Sequence, residues 1–212
     1  MRSRAAARQV AMRLAAIRQP AGPSSHRLAQ PTPAAAEGKK RKMSSSTAEV
    51  ETPEIFLAAV VTVSDSCARG DRKDLSGPAV AQVLEKLSFR IAAQEIVPDD
   101  SMQIQNLLMR LALDVQLIVT TGGTGIAPRD VTPEATQAIC DRMLDGVAEQ
   151  MRGAGVKRTP FAALSRGVCG VRDKTLILNV PGSPAGAVQS LEAVVELIPH
   201  ALKLLQGHTK HF

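Results

Sequence analysis

The spacing of hydrophobic positions predicts four strands in the region from residue 55 to residue 180. Ile55–Val63 and Val115–Val119 are continuous apolar runs, which are typical of strands buried on both faces of a sheet. Phe89–Val97 instead alternates between apolar and polar residues, as a strand with one exposed face does. Leu176–Val180 forms a short late strand. Helical spacing of apolar residues separates these strands.

Several polar residues stand where helices are expected to begin. The predicted caps and helices are Ser76 before Gly77 and Pro78; Asp99, Asp100 or Ser101; Thr132 before Pro133; and a long closing helix, Ala185–Leu205, bent near Pro199. Alternation of strands and helices indicates an α/β fold: three layers, a mostly parallel sheet and helices on both faces. A small β hairpin is expected around Val168–Gly170, between Arg166 and Arg172.

Composition and charge exclude several classes of protein. The chain has 212 residues, of which 44% are apolar and 22% charged, and these values fit a globular protein. No run approaches the ~20 apolar residues of a membrane-spanning helix, so no membrane association is expected. The net charge of +6 is unevenly distributed, because residues 1–42 carry ten basic residues against Glu37 alone. Residues 43–212 are mildly acidic, and nucleic-acid binding is therefore not expected.

The basic leader is assigned to residues 1–52 and the folded domain to residues 53–212. Residues 1–36 contain six Arg and no acid, which is the profile of an organelle transit peptide. The alternative is a disordered leader or a misassigned start codon, because Met43 opens an ordinary N-terminal sequence. A cytosolic protein is favoured, with an organelle as the alternative. The three cysteines form no CxxC motif, which fits a reducing compartment.

Three polar loops follow predicted strands and should meet at one edge of the sheet. They are Ser64-Asp65-Ser66, the segment TTGGTGIAPRD at residues 120–130, and Asn179–Pro184. Glycines after a buried strand allow backbone N–H groups to approach an anion closely. The second loop has no lysine of a Walker A motif, and the third glycine of GxGxxG is replaced by Pro128. Anion binding at this loop is predicted, and a tight strand-to-helix turn is the alternative.

The other polar residues of these loops allow two interpretations each. Ser183 either caps a helix or binds phosphate with Gly182, and Asp65 either caps a turn or acts in the site. Asp99 and Asp100 could be helix caps or metal ligands. Asp130 could cap the helix of Thr132 or, beside bound phosphates, ligate Mg²⁺ or position the second ligand. Arg166 and Arg172 could reach phosphate or carry only surface charge.

Five segments together resemble one enzyme family. They are VTVSDS (61–66), IVPDD (96–100), LIVTTGGTGIAPRDVTPEAT (117–136), TPFAALSRGVCGVRDKTLILNVPGSP (159–184) and the closing PHALKLL. In this order and without large gaps, over residues 55–207, they resemble molybdopterin adenylyltransferase, the G domain of gephyrin and of plant molybdenum-cofactor proteins. The TTGGTG block with PRDVTPEAT is the most specific of them.

The resemblance implies an α/β enzyme that joins molybdopterin to AMP with Mg²⁺ and ATP and releases pyrophosphate. It places the catalytic and metal-binding aspartates at Asp99 and Asp130. It assigns nucleotide and pterin-phosphate binding to the following residues: Ser64, Asp65, Thr121, Gly122, Gly123, Thr124, Gly125, Asn179, Pro181, Gly182 and Ser183. Further phosphate contacts are expected from Arg129, Ser165 and Arg166. The family usually forms trimers, and hand-over of the product to a molybdate-inserting protein is expected.

One departure from the family pattern and two rival functions follow from the same resemblance. Many members have glutamate where this chain has Asp100, so a metal-related role at that position could be weakened. A module of a molybdate-inserting enzyme would bind the adenylated product without making it. A scaffold protein of the gephyrin type would bind molybdopterin without transferase activity.

Overall fold

A computed structural model of the chain describes residues 55–207. The leader predicted for residues 1–52 lies outside the described residues. Among the helices in the described range, none has the length and apolar character that crossing a bilayer requires.

The described residues form six strands, seven α-helices and one 3₁₀ helix. In chain order these are β1 (Leu57–Val63), α1 (Asp65–Ala68), α2 (Ser76–Lys86), β2 (Arg90–Val97), α3 (Ser101–Leu111), β3 (Leu117–Thr121), α4 (Thr132–Ile139), β4 (Arg142–Met143), α5 (Asp145–Val156), the 3₁₀ helix (Pro160–Leu164), β5 (Cys169–Arg172), β6 (Thr175–Val180), α6 (Pro184–Glu192) and α7 (Leu197–Leu205). The predicted α/β class is confirmed.

The strands form a single mixed sheet in the order β2-β1-β3-β6-β5-β4. β2, β1, β3 and β6 run parallel, whereas β5 pairs antiparallel with β6 and β4 pairs antiparallel with β5. β2, the next strand in the chain, pairs with β1 on one side, and β3 then pairs with β1 on its other side. This reversal creates a crevice beyond the carboxyl ends of β1 and β3, where open α/β sheets bind ligands.

Two apolar cores lie on opposite faces of the sheet. One core packs α2, α5, α6 and α7 on the sheet through residues such as Leu84, Met151 and Leu202. The other packs α3 and α4 through residues such as Leu108 and Ile139. Successive residues of β1 alternate between the two cores, which explains why its apolar run is continuous.

The β5–β6 hairpin is confirmed, whereas one expectation about the elements is wrong and one short strand was not predicted. The predicted closing helix is two helices, because a turn at residues 193–196 separates α6 from α7; the break lies before Pro199, which is inside α7. The two-residue strand β4 was not predicted, since two residues carry no periodic signal. The hairpin around Val168–Gly170 turns at Asp173, which has a positive φ of 50°.

Two of the predicted helix caps are also wrong. Ser76 is the first residue of α2 rather than its cap, and the Asp74 carboxylate accepts the Ser76 and Gly77 amides at 3.0 Å each. Thr132 likewise lies inside α4, fully buried, and its hydroxyl donates to the Gly122 carbonyl at 3.0 Å. Asp74, two residues earlier, thus takes the capping role that was assigned to Ser76, whereas the Thr132 hydroxyl is used in a tertiary contact.

Candidate active site

The four residues Gly122–Gly125, called the glycine loop below, leave β3 in a backbone conformation that side chains rarely adopt. Gly122 and Gly123 have φ values of +103° and +61°. A Cβ atom on Gly122 would lie 2.2 Å from the Val63 carbonyl oxygen, and one on Gly123 would lie 2.3 Å from the Thr132 Oγ1. Glycine is therefore required at both positions.

The carbonyl groups of the glycine loop all bond to the protein. Thr132 donates to Gly122 through its hydroxyl at 3.0 Å and to Gly123 through its amide at 3.2 Å. Arg166 donates to Thr124 through its amide at 2.8 Å and to Gly125 through its Nε at 2.6 Å. Within residues 55–207, by contrast, the amides of Gly123, Thr124 and Gly125 have no protein acceptor. The loop thus offers a row of N–H donors, as an anion site does.

The segment Asn179–Ser183 lies directly against the glycine loop. The Thr121 hydroxyl donates to the Pro181 carbonyl at 2.7 Å, and a Cβ on Gly182 would lie 3.1 Å from the Gly122 Cα. Asn179 is buried and donates to the hydroxyls of two threonines, Thr120 and Thr136. Its Oδ1 atom is the buried side-chain polar atom without a partner in the described part of the chain.

Ser183 is a helix cap, and it also borders both cavities described below. Its hydroxyl accepts the Gly186 amide at 3.3 Å, and Pro184 stands at the first position of α6. Both interpretations of Ser183 are therefore compatible, because a capping residue lies at the positive end of the helix dipole.

Asp65 and Asp99 bind each other's backbone across the ends of β1 and β2. The Asp65 amide donates to Asp99 Oδ2 at 2.8 Å, and the Asp99 amide donates to Asp65 Oδ1 at 3.1 Å. Arg129 then donates to both oxygens of Asp65, at 2.9 and 3.1 Å. We call these three residues the aspartate clasp. It joins the loops that follow β1, β2 and β3.

The pKa values of the two carboxylates of the clasp are shifted in opposite directions. The Arg129 guanidinium lowers the pKa of Asp65. Burial raises the pKa of Asp99, and the nearby carboxylates of Asp65 and Asp130 raise it further. Asp65 does not cap α1, as one interpretation held, because the Ser64 hydroxyl accepts the Cys67 amide instead.

Asp100, not Asp99, caps the helix that follows. Asp100 Oδ1 accepts the Gln103 amide at 2.9 Å at the start of α3. This leaves Asp99 free to face the glycine loop, where its Oδ1 would lie 3.0 Å from a Cβ on Gly123. Asp100, which stands where many family members have glutamate, is thus the capping residue of α3.

Asp130 has a role that neither interpretation of it foresaw. Its Oδ2 accepts the Ala127 amide at 2.7 Å, and the Asp130 amide donates to the Ala127 carbonyl at 2.9 Å. The carboxylate therefore closes the turn after the glycine loop rather than capping α4. Its other oxygen has no partner among residues 55–207.

Arg166 and Arg172 bond to the protein itself. Besides Gly125, the Arg166 guanidinium donates to the Asp130 carbonyl at 2.5 Å and pairs with Glu134. Arg172 donates to the Ile139 carbonyl at 2.7 Å. Arg166 therefore stabilises the conformation of the glycine loop through these hydrogen bonds. The adjacent Ser165 hydroxyl accepts the Gly167 amide at 3.4 Å.

Two cavities, each of about 510 Å³, meet at the glycine loop. Both are lined by Gly123, Asp130, Gly182 and Ser183. The first cavity extends over α5 and the 3₁₀ helix, and the remaining predicted residues that line it are Thr124, Gly125, Ser165, Asn179 and Pro181. The second extends toward Ser64, Asp99, Thr121 and Gly122. The other predicted site residues, Asp65, Arg129 and Arg166, line neither cavity.

The second cavity also contains residues that sequence reasoning missed. Arg72 and Lys73 line it, on the loop between α1 and α2. Asp74 positions that loop, because its Oδ2 accepts the Thr62 hydroxyl at 2.6 Å while its Oδ1 holds the start of α2. An Asp just before Ser-Gly-Pro is itself a capping signal, and it could have been found.

The fold and site define an α/β protein with a row of backbone amides, unbonded within residues 55–207, at a strand switch point. Comparisons with known proteins identify its family. The family described as "Probable molybdopterin binding domain" matches residues 59–200. Molybdopterin adenylyltransferase of Helicobacter pylori is 42% identical over 153 residues, covering 70% of this chain and 87% of that protein. The Drosophila melanogaster protein cinnamon is 40% identical over 155 residues, which cover 72% of this chain and 26% of cinnamon.

A solved structure shows the same fold. The molybdopterin biosynthesis enzyme MoaB of Thermus thermophilus is 52% identical, with a TM-score of 0.69, and the match covers 72% of this chain and 98% of that one. The chain belongs to the molybdopterin-binding domain family.

Proposed function

We propose that the protein transfers the adenylyl group of ATP to the phosphate of molybdopterin, forming adenylated molybdopterin and pyrophosphate. The observation that carries this proposal is the meeting of two cavities of equal size at one row of unpaired amides. A reaction between two phosphate-bearing substrates requires such a meeting point. The relatives named molybdopterin adenylyltransferase support the same activity.

The chemistry is an in-line displacement at the α-phosphorus of ATP. An oxygen of the pterin phosphate forms the new P–O bond, the bond from the α-phosphorus to the bridging oxygen breaks, and pyrophosphate takes the electron pair. The attacking oxygen is already anionic, so no general base is needed. The protein's main tasks are to hold two mutually repelling anions in line and to stabilise the charge of the transition state.

The amides of the glycine loop perform the first task. They are fixed before any ligand arrives, because Thr132 and Arg166 hold every carbonyl of the loop. Gly182 and Ser183, at the start of α6, border the same space and contribute the positive end of that helix. Arg72 and Lys73 in the second cavity favour the triphosphate, and the pyrophosphate leaving group, on that side.

The residues present fit a magnesium ion held jointly with substrate. Within residues 55–207, no three His, Cys, Asp or Glu side chains form a complete metal site. Asp99 and Asp130 each keep one carboxylate oxygen without a protein partner, however, and Mg²⁺ is commonly bound by one or two carboxylates together with substrate phosphates. When bound there, Mg²⁺ would neutralise charge on the phosphate oxygens. Asp99 and Asp130 are its proposed ligands.

A single assay tests the activity. The purified chain is incubated with molybdopterin and Mg·ATP, and adenylated pterin and pyrophosphate are measured. Equal amounts of both products are expected. Binding of molybdopterin without either product would instead identify a binding module of a molybdate-inserting or scaffold protein.

We further propose residues 53–212 as the catalytic domain, a homotrimeric assembly and hand-over of the product to a molybdate-inserting protein. A cytosolic location fits the three free cysteines, Cys67, Cys140 and Cys169. Sedimentation at micromolar concentration tests the assembly, and a monomer would contradict it.

A further inference from the structure

Phe161 is a large aromatic side chain left in contact with solvent at the first cavity. It is 76% exposed and lines that cavity together with the apolar side chains of Ile126, Met151 and Leu164. An isolated exposed apolar residue needs no explanation, but a ring that forms one wall of a ligand-sized cavity is placed to contact what enters.

Aromatic rings are scarce in this chain. The sequence has no Trp, no Tyr and four Phe. Phe56 and Phe89 are buried and pack against each other, with ring centroids 6.1 Å apart. Phe212 lies outside the described residues. Among residues 55–207, Phe161 is therefore the one phenyl ring that a ligand can reach.

The backbone that carries Phe161 is fixed at both ends relative to the glycine loop. On one side, the Thr159 amide donates to the Gly155 carbonyl at 3.0 Å. Ala162 also packs closely against Gly155, because a Cβ atom added to Gly155 would lie 2.8 Å from the Ala162 Cβ. On the other side, the Arg166 amide donates to the Thr124 carbonyl at 2.8 Å. The backbone of the Phe161 segment is thus restrained, and Phe161 lines the same cavity as the amides that would hold a phosphate.

We propose that Phe161 is the stacking surface for the fused heterocycle of the substrate in the first cavity. This inference rests on the proposed function, in which both substrates carry a phosphate and a fused nitrogen heterocycle that contains a flat pyrimidine ring. The glycine loop binds the phosphate, Phe161 covers one face of the ring, and the ligand in turn removes the exposed ring from water. Phe161 thereby makes the cavity selective for aromatic over non-aromatic phosphates.

Binding measurements on Phe161→Leu test the inference. Leucine keeps an apolar side chain but lacks a π-face, and a site that is 76% exposed tolerates the change without loss of stability. The affinities of the full chain for AMP, molybdopterin and ribose 5-phosphate are measured separately by titration calorimetry. We expect about 10-fold weaker binding of AMP or of molybdopterin, whichever ring the cavity takes, and unchanged binding of ribose 5-phosphate.

Two further variants separate stacking from a structural effect. Phe161→Tyr keeps the ring and should bind all three ligands as the wild type does. Leu113→Ala changes a side chain that is 83% exposed and lines neither cavity, and it should change no affinity. Ribose 5-phosphate binding that weakens as much as AMP binding would contradict stacking, as would affinities for AMP and molybdopterin that both stay within about twofold.

The outcome is separable from that of the proposed function. A wild-type chain that forms no adenylated pterin, but whose ligand binding weakens in Phe161→Leu, would overturn the activity and leave the stacking role standing. A chain that is active, with unchanged affinities in Phe161→Leu, would overturn the stacking role alone. A wild-type chain that binds neither AMP nor molybdopterin would overturn both.

Discussion

The glycine loop and the aspartate clasp lie side by side, yet different forces hold them. Three of the four carbonyls of the loop accept from neutral donors, namely the hydroxyl and amide of the fully buried Thr132 and the backbone amide of Arg166. The fourth carbonyl, that of Gly125, accepts from the Arg166 guanidinium. The clasp is held by an ion pair in which Arg129 is 64% and Asp65 29% exposed. Buried hydrogen bonds between neutral groups respond little to pH and salt, whereas an exposed ion pair responds to both. The glycine loop is thus a rigid part of the fold, whereas the ion pair of the aspartate clasp responds to pH and salt.

The largest effect is expected from Gly122→Ala, a substitution in the rigid glycine loop. Alanine would have to adopt the disfavoured φ of +103°, and its Cβ would lie 2.2 Å from the Val63 carbonyl oxygen. We expect the free energy of unfolding to fall by roughly 3–5 kcal/mol, with loss of activity. Chemical denaturation measures the first and product formation the second.

Gly153→Ala is the matched control for that change. Gly153 lies within α5 with no atom near its would-be Cβ, so alanine there should stabilise the chain by about 0.5–1 kcal/mol. Equal destabilisation by the two substitutions would show that the glycine loop is not specially constrained.

A smaller but specific effect is expected from Asp130→Asn. Asparagine keeps an oxygen for the Ala127 amide, so the turn and the melting temperature should be preserved. The negative charge is lost, and adenylyl transfer should fall by roughly 10²-fold or more. Turnover is measured at saturating Mg·ATP.

Asp100→Asn provides the comparison for Asp130→Asn. Asp100 caps α3 and asparagine caps equally well, so stability and turnover should stay near wild type. Near-normal turnover in Asp130→Asn would remove Asp130 from the proposed machinery, and a large loss in Asp100→Asn would assign a direct role to the capping residue.

Arg129→Gln should change the pH dependence more than the maximum rate. The reaction is expected to need ionised Asp99, whose pKa is already raised by burial and by its neighbouring carboxylates. Because the Arg129 charge lowers the pKa values of both Asp65 and Asp99, its removal raises both. The acid limb of the pH profile of kcat/KM should therefore move to higher pH.

Arg110→Gln is the control for the clasp. Arg110 pairs with both oxygens of Glu95, at 2.7 and 2.9 Å, in an ion pair that resembles the clasp but belongs to neither cavity. Its removal should leave the pH profile unchanged. An acid limb that stays in place in Arg129→Gln would show that Arg129 does not tune the clasp.

The smallest effect is expected from removing residues 1–42. The basic leader shares no pattern with the domain, and the residues of both cavities lie between positions 62 and 190. A chain that starts at Met43 should keep its melting temperature and kcat/KM within about twofold of the full chain. Loss of folding or of transfer would assign the leader a structural role.

Local patterns were sufficient to predict the layers of the fold and the loops of the site. A strand buried on both faces is largely apolar, as Leu57–Val63 is apart from Thr62. A strand exposed on one side alternates in its burial, as Arg90–Val97 does. Parallel strands bring their carboxyl ends to one edge, so the loops of Asp65, Gly123 and Gly182 could be grouped in advance. The sequence by itself therefore determined the class of fold and the location of the site.

Only the tertiary structure decided what each polar group in those loops does. Thr132 fits the local rule for a cap but is buried against Gly122, and Asp99 bonds across two loops to Asp65 while its neighbour Asp100 takes the cap. Hydroxyls and carboxylates satisfy whichever partner the packed chain brings within about 3 Å, and that partner can lie 34 residues away, as it does for Asp65 and Asp99. The spacing of residues along the sequence does not show which partner comes that close, because the packing of strands and helices decides it.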